Sequence, residues 1–304
     1  MSKVRENLKR INIEGSVVYN EPMAKHTTFR VGGPAEVYIR PKNSADVAKV
    51  VQYCRSSQTP LFVLGGGANI LVSDKGISGI VLAMESLHHI SLSGTDLLVQ
   101  AGAGVSEVSA FAAERGLGGF EFIYSMPGSF GGAVWMNARC YGSEVAEVLR
   151  EVTYLDTEGN VAQMYPAREE FSYKDTPFMK NPWIILEGKI SLTPADPNSL
   201  WKEMKEFETD RRTKGHFDAP CAGSVFKNNR DFGAPSGQII DRLGLRGTTL
   251  GGAQISPIHG NIIINQGNAR AQDIGDLIDF VQNQVHTQFG FHLEPEVIRV
   301  GDWT

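Results

Sequence analysis

The sequence predicts an α+β chain of at least two domains, and three observations carry that reading. The alternating stretch Glu36-Val37-Tyr38-Ile39-Arg40 is followed by apolar residues at helical spacing and then by the run Leu61-Phe62-Val63-Leu64, the order of a parallel βαβ unit. Residues 151–190 are rich in strand-forming runs, Glu151-Val152-Thr153-Tyr154-Leu155 and Trp183-Ile184-Ile185-Leu186 among them, with a turn at Glu158-Gly159-Asn160. The Pro194-Ala195-Asp196-Pro197 stretch interrupts the pattern and is the best linker signal, so a domain boundary is placed there. At 304 residues and 41% hydrophobic content the chain exceeds the usual single-domain size and can bury sizeable cores.

In chain order, residues 1–25 read as a short polar helix and a turn at Glu21-Pro22. Thr27 to Ala35 is turn-rich, and Glu36 to Arg40 reads as a half-buried strand. Val47, Val50, Val51 and Cys54 recur at helical spacing behind Ser44, a candidate N-cap. Ile80-Val81-Leu82 and Leu97-Leu98-Val99 read as strands; Val108, Phe111 and Ala112 share a helix face behind Ser106, with the helix ending at Gly116. Beyond the linker, Leu200, Trp201, Met204 and Phe207 form one helix face, Ile262-Ile263-Ile264 a buried strand, and Ile274, Leu277, Ile278, Val281 and Val285 the stripe of a long helix. Leu293 to Gly301 reads as a closing strand.

Two glycine clusters dominate the reading for chemistry. Gly65-Gly66-Gly67 follows a strand-length apolar run and precedes Ala68-Asn69-Ile70. Consecutive glycines give bare backbone, whose exposed N–H groups form a nest for a phosphate or pyrophosphate; the plain alternative is a tight turn. Met126 to Asn137 is the second cluster, where small residues line a turn around Ser129. It is either a second cradle or a close helix-packing site.

Several chemistries are disfavoured. GxxxxGK followed by Ser or Thr does not occur, and neither Gly65 to Ile70 nor Gly102 to Glu107 completes GxGxxG, which argues against Walker and Rossmann sites. Pro127 to Gly131 lacks the first glycine of a GxSxG elbow, and Cys221 to Val225 lacks both. The histidines show no metal spacing, and Cys54, Cys140 and Cys221 are too far apart for a zinc site or a disulfide framework, so no metal is expected and the thiols should be reduced. A net charge of −5, with one dense basic cluster at Arg211-Arg212-Thr213-Lys214, gives no general attraction to nucleic acid. No apolar run reaches the roughly 18 residues of a membrane span, and the N-terminus leads into no apolar signal core, so the cytoplasm is the expected location.

With both clusters in view, the chain resembles UDP-N-acetylenolpyruvoylglucosamine reductases, the MurB family of flavoenzymes. The resemblance is carried by Leu64 to Asp74, Pro127 to Ala138, Ala222 to Asn228 and Leu293 to Val297, whose order and spacing span almost the whole chain from Thr27. It implies a two-part FAD-binding domain of the vanillyl-alcohol-oxidase (PCMH) type, without a Rossmann motif, and a smaller α/β substrate-binding domain. The implied division is an N-terminal segment at 1–25, the FAD domain at 26–195 with its subdomains split near 87, and a substrate domain at 200–304 whose last strand returns toward the flavin. The single helix expected between Trp183 and Lys214 suggests the shorter subclass.

The resemblance implies a reaction and a set of residues. NADPH would reduce FAD, and the flavin would pass hydride to the enolpyruvyl ether of a UDP-sugar, a step of peptidoglycan precursor synthesis. Gly65, Gly66, Gly67, Ala68, Asn69 and Ile70, with Pro127, Gly128, Ser129, Gly131, Gly132 and Asn137, would hold FAD. Ser224 matches the proton donor, and Glu296 the carboxylate near the substrate; read without the family, Ser224 is a turn or N-cap serine and Glu296 a surface charge pairing Arg299. Glu294 is the nearby decoy. Lys174 stands where the family pattern has arginine, keeping the charge but losing the bidentate fork; its plain reading is a surface lysine beside Asp175. Lys214, Asn228, Tyr173 and Arg212 would hold the substrate, with Arg211 able to share the diphosphate, and His259 fits a segment facing the flavin. The competing readings are another FAD-dependent sugar or lactone oxidoreductase of the same superfold, and an inactive flavin- or nucleotide-binding paralogue.

Overall fold

Strand competition for buried places, more than local propensity, decides the first sheet. In the computed structural model, which describes residues 11–304, the strands in chain order are β1 (Ser16–Pro22), β2 (Pro34–Arg40), β3 (Leu61–Leu64), β4 (Ile70–Val72), β5 (Ile77–Ala83), β6 (Ile90–Ser93), β7 (Asp96–Gln100), β8 (Leu117–Gly118), β9 (Arg139–Cys140), β10 (Ser143–Glu144), β11 (Leu149–Leu155), β12 (Val161–Met164), β13 (Ile184–Ser191), β14 (Thr193–Pro194), β15 (Cys221–Ser224), β16 (Thr249–Leu250), β17 (Ala253–Ile255), β18 (Ile262–Asn265) and β19 (Ile298–Val300). The helix Ser44–Ser57 does join β2 to β3, but the sheet order is β1-β2-β5-β3, so the expected βαβ pair is separated by β5. The reason is burial: Ile80, Val81, Leu82 and Ala83 of β5 are all buried, the pattern of an interior strand, whereas β3 exposes Val63 and takes the edge. β3 pairs β5 in parallel, Leu61 opposite Ile80.

Other local expectations shift for similar reasons. The polar helix expected in residues 1–25 lies partly on residues 1–10, outside the described range; within it, Ser16–Pro22 is strand and Met23–Lys25 a single 3-10 turn, so Glu21-Pro22 ends a strand instead of forming a turn. Val17 packs against the core, and sheet pairing overrides the polar composition. β2 is more than half-buried, since Val37, Tyr38 and Ile39 are all enclosed. The N-cap of the first helix is Asn43, whose side chain receives the Asp46 N–H at 3.0 Å, and not Ser44.

The chain divides into two compact units. One comprises residues up to Tyr19, Val37–Gly66 and Gly79–Thr209; the other comprises Asn20–Glu36, Gly67–Ser78 and Asp210–Thr304. The first unit contains β5 and β3 of the first sheet and a second, antiparallel sheet of order β12-β11-β13-β7-β6, with a core from Val37 to Leu192. The expected linker at 194–197 does not end this unit. β14 pairs β8, and the helix Pro197–Thr213 buries Leu200 and Met204 against Ala113. Pro194 closes a strand, and Pro197 occupies the start of a helix, where its missing N–H costs nothing.

The second unit holds the antiparallel sheet β15-β18-β17-β16, covered by the helix Ala271–Phe289, whose Ile274, Leu277, Ile278, Val281 and Val285 are buried as the periodicity requires. β19 pairs β4 in parallel, Ile298 opposite Ile70, which brings the C-terminal strand beside the residues that follow the first glycine turn. The three cysteines are free thiols, and burial pushes Cys54 up to about 12. Among the described residues no helix is long and apolar enough to cross a membrane, and no group of His, Cys, Asp and Glu has metal-site geometry.

Candidate active site

In the first unit two stretches of main chain approach more closely than any side chain would permit. A Cβ on Gly66 would stand 2.6 Å from Gly128 Cα, and one on Gly65 would stand 2.4 Å from Ser129 Oγ. The second glycine cluster is a turn leading into a short helix, Phe130–Trp135, with Ser129 as its cap: Oγ accepts the Gly132 N–H at 3.3 Å. The close-packing reading of this cluster is seen at Gly131, which lies on Ala101, where a Cβ would sit 2.7 Å from the alanine methyl. Pro127 is exposed beside this bare wall, and Ser125, at φ +61°, buries a hydroxyl oxygen that has no partner.

The same unit carries Tyr173 and Lys174 at the tip of a turn closed by Ser172 and Asp175. Lys174 has φ +55°, a left-handed conformation that costs an L-residue about 1–2 kcal/mol. Tyr173 is exposed, and the Lys174 ammonium lies 5.8 Å from its ring centroid. Asp175 pairs with Lys180 at 2.7 Å. Asn137 is fully buried and turns its polar ends to the chain: Nδ2 donates to the Ser172 carbonyl at 3.3 Å, and Oδ1 accepts the Ala146 N–H at 3.0 Å.

The second unit brings Asn69, Ser224 and Glu296 together through their backbones. Ser224 ends β15 opposite Ile262, after a register irregularity that begins at Cys221; such bulges re-aim a side chain next to a site. Gly223 takes φ +70° there, and a Cβ at that position would meet nothing within 4 Å, so conformation and not space demands glycine. The Glu296 N–H donates to the Val225 carbonyl at 2.7 Å, and Asn69 Nδ2 donates to the Glu296 carbonyl at 2.9 Å. Gly67, at φ +61°, accepts the Thr28 N–H at 3.1 Å, and the Thr28 hydroxyl is buried without a partner. Ala68 lies between these anchors, and Ile70 begins β4. Glu294 is committed elsewhere, its carboxylate bonded to Lys227, while Arg299 is held by Asp279 and the Gly275 carbonyl.

Asn261 lies in the segment His259-Gly260-Asn261 that the resemblance sets facing the flavin, but no role of its own was expected for it. Its carbonyl accepts the Val225 N–H at 2.9 Å, its Oδ1 accepts the Phe226 N–H at 2.9 Å, and its Nδ2 donates to the Phe226 carbonyl at 2.8 Å, all in a buried setting. The signal available was a polar amide directly before the apolar run of β18. His259 receives the Asn261 N–H on Nδ1 at 3.1 Å, which leaves the ring proton on Nε2, and burial holds its pKa below the usual range.

The basic cluster of the second unit is uneven. Lys214 is exposed and paired with Asp210 at 2.6 Å; Arg212 is exposed, its guanidinium 5.2 Å from the Phe217 ring centroid. Arg211 is buried, with Nε lacking a partner. Burial, reinforced by Arg211, pushes the neighbouring His216 down to about 4. Asn228 is exposed and accepts the Ser236 N–H at 2.9 Å on Oδ1.

Comparison with known proteins gives this geometry a family. Residues 215–300 match the family described as UDP-N-acetylenolpyruvoylglucosamine reductase, C-terminal domain, and residues 35–165 match the FAD binding domain. A UDP-N-acetylenolpyruvoylglucosamine reductase of Caldanaerobacter subterraneus subsp. tengcongensis is 39% identical over 297 residues, covering 98% of each chain. The chain belongs to the UDP-N-acetylenolpyruvoylglucosamine reductase family. A crystal structure of such a reductase from Thermus caldophilus superposes with a TM-score of 0.78 at 29% identity, covering 95% of this chain and 99% of that one. A berberine bridge enzyme variant, 14% identical, shares the fold over 64% of this chain with a TM-score of 0.50.

The chain is therefore an FAD-dependent oxidoreductase that reduces UDP-N-acetylenolpyruvoylglucosamine in peptidoglycan precursor synthesis. Residues of the first unit fit the cofactor: the bare main chain at Gly65 and Gly66 is a cradle that a Cβ would fill, and the Ser125 hydroxyl is buried without a partner.

Proposed function

We propose that the chain uses NADPH as reductant and Ser224 as proton donor, with Glu296 and Lys174 acting on the substrate's carboxylate. FAD, when bound, supplies the hydride transfer from NADPH to the β-carbon of the enolpyruvyl ether. As that C–H bond forms, the π electrons of the alkene move toward the α-carbon and the carboxylate, giving an enolate. Ser224 Oγ delivers its proton to the α-carbon, and solvent restores it. Lys174 opposes the enolate charge, as a point charge without the orienting fork of an arginine. Glu296 orients the acceptor end or relays the proton. Gly65 to Ile70 and Pro127, Gly128, Ser129, Gly131 and Gly132 hold FAD; Lys214, Arg212, Asn228 and Tyr173 hold the UDP-sugar. The need for nucleotide co-substrates favours the cytoplasm as the site of the reaction.

The observation that supports this assignment best is the bonding of Glu296 to Val225 and of Asn69 to Glu296, which ties the strand of Ser224, the segment of Glu296 and Asn69 into one framework of the second unit. Enzyme reduced anaerobically by NADPH and then mixed with the UDP-sugar tests it. Ser224→Ala should slow oxidation of the flavin by the substrate by about a hundredfold or more, with a far smaller effect on reduction by NADPH. A variant as fast as the parent would remove Ser224 from the mechanism, and no reduction by NADPH in the parent would remove NADPH.

A further inference from the structure

The turn that carries Lys174 is fastened to the stretch that follows the second glycine cluster. Ser172 N–H donates to Asp175 O at 2.9 Å, and Asp175 N–H donates to Ser172 O at 3.3 Å, so Tyr173 and Lys174 are the two central residues. The third position of such a turn takes positive φ and suits glycine or asparagine, yet lysine stands there at φ +55°. Two enclosed side chains grip the turn on either side. Asn137 donates to the carbonyl of Ser172, while Thr176 donates its hydroxyl to the carbonyl of Trp135 at 2.6 Å and receives the Met179 N–H at 3.2 Å. Asn137 and Thr176 are both fully buried, and Phe171 and Phe178 just beyond the turn are core residues. Both shoulders are thus bonded to Trp135 and Asn137, at the end of the segment that begins with the capping serine, Ser129.

We propose that Asn137 and Thr176 are positioning residues for Lys174. They hold a turn that its own sequence disfavours, so that the lysine charge stays in register with the Gly128–Gly132 segment. This gives Asn137 a different role from the cofactor contact expected from the sequence. The inference rests on the reading of Lys174 as the group that opposes the enolate charge. Because a left-handed lysine is disfavoured, losing either grip lets the turn relax and the charge wander, without removing any group that touches the reacting atoms.

The test uses holoenzyme reduced by dithionite and mixed anaerobically with UDP-N-acetylenolpyruvoylglucosamine, with flavin oxidation followed by absorbance. Thr176→Val keeps the buried volume and loses the hydroxyl; it should slow oxidation about tenfold or more, and Thr176→Ser should restore it. In a Lys174→Ala background the valine should add nothing, FAD content should match the parent throughout, and amide exchange at Asp175 should rise. Equal slowing by valine in both backgrounds, or unchanged exchange at Asp175, overturns the proposal. A Lys174→Ala enzyme as fast as the parent overturns instead the reading of Lys174, which is recognisable because exchange at Asp175 still rises in Thr176→Val. If Thr176→Val does not fold, Asn137→Gly, which tolerates the φ of +45° at that position, is read by the same criteria.

Discussion

The two units hold their functional segments by opposite means. The first excludes side chains: Gly65, Gly66 and Gly131 occupy places where any Cβ would meet neighbouring atoms at 2.4–2.7 Å. The second supplies side chains: Asn69 and Asn261 fasten the backbone around Glu296 and Ser224 with directional bonds of 2.8–2.9 Å. The difference fits the tasks proposed for the two units. A pyrophosphate is bound by bare N–H groups, which side chains would bury, whereas a weak acid such as a serine hydroxyl transfers a proton only over a short, aimed distance.

The comparison breaks first at Asn261. Asn261→Leu leaves the Phe226 N–H and carbonyl buried without partners, and should lower unfolding free energy by about 3 kcal/mol, measured by denaturant titration. It should slow the substrate-dependent half of the cycle while FAD affinity changes little; a large loss of FAD with unchanged substrate turnover would contradict the division of labour.

Gly66→Ala probes the other means. Relieving a 2.6 Å approach to Gly128 costs about 1–3 kcal/mol, so FAD affinity should fall about ten- to hundredfold by fluorescence titration of the apoprotein. An alanine variant that binds FAD as well as the parent would show that the close approach is not needed.

The smallest effect concerns pH. His216 is held down to about 4 by burial and by Arg211, against an ordinary value of 6.5. Between those values the unfolded chain binds more protons, so stability rises with pH across the window and is lost on acidification from 6.5 toward 4. The slope stays below about 1.4 kcal/mol per pH unit, because a single imidazole binds at most one proton more in the unfolded chain. His216→Gln should flatten the pH dependence of the melting temperature there, and an unchanged slope would assign it to other groups.

Much of this is legible in the order of residues. The helix stripe from Ile274 to Val285 and the buried run of β18 follow from periodicity. Less legible was anything decided by choice of partner. Asn43 and not Ser44 caps its helix because its side chain reaches the Asp46 N–H. β5 and not β2 neighbours β3, because the strand with the fuller apolar run takes the interior place. Leu200 and Met204 hold their helix to the first unit, past a linker signal that both prolines satisfy within strand and helix.

By itself the sequence determined the cofactor and the reaction class. Glycines that must be glycine, and a serine and a carboxylate in a fixed pattern, are properties of residue type that local order preserves. Only the tertiary structure decided what holds those residues in place. Asn69 reaches Glu296 across 227 positions, and Asn137 reaches Ser172 across 35. A buried amide can satisfy many backbone groups equally well, so its partner is fixed only when packing brings one of them within hydrogen-bond distance.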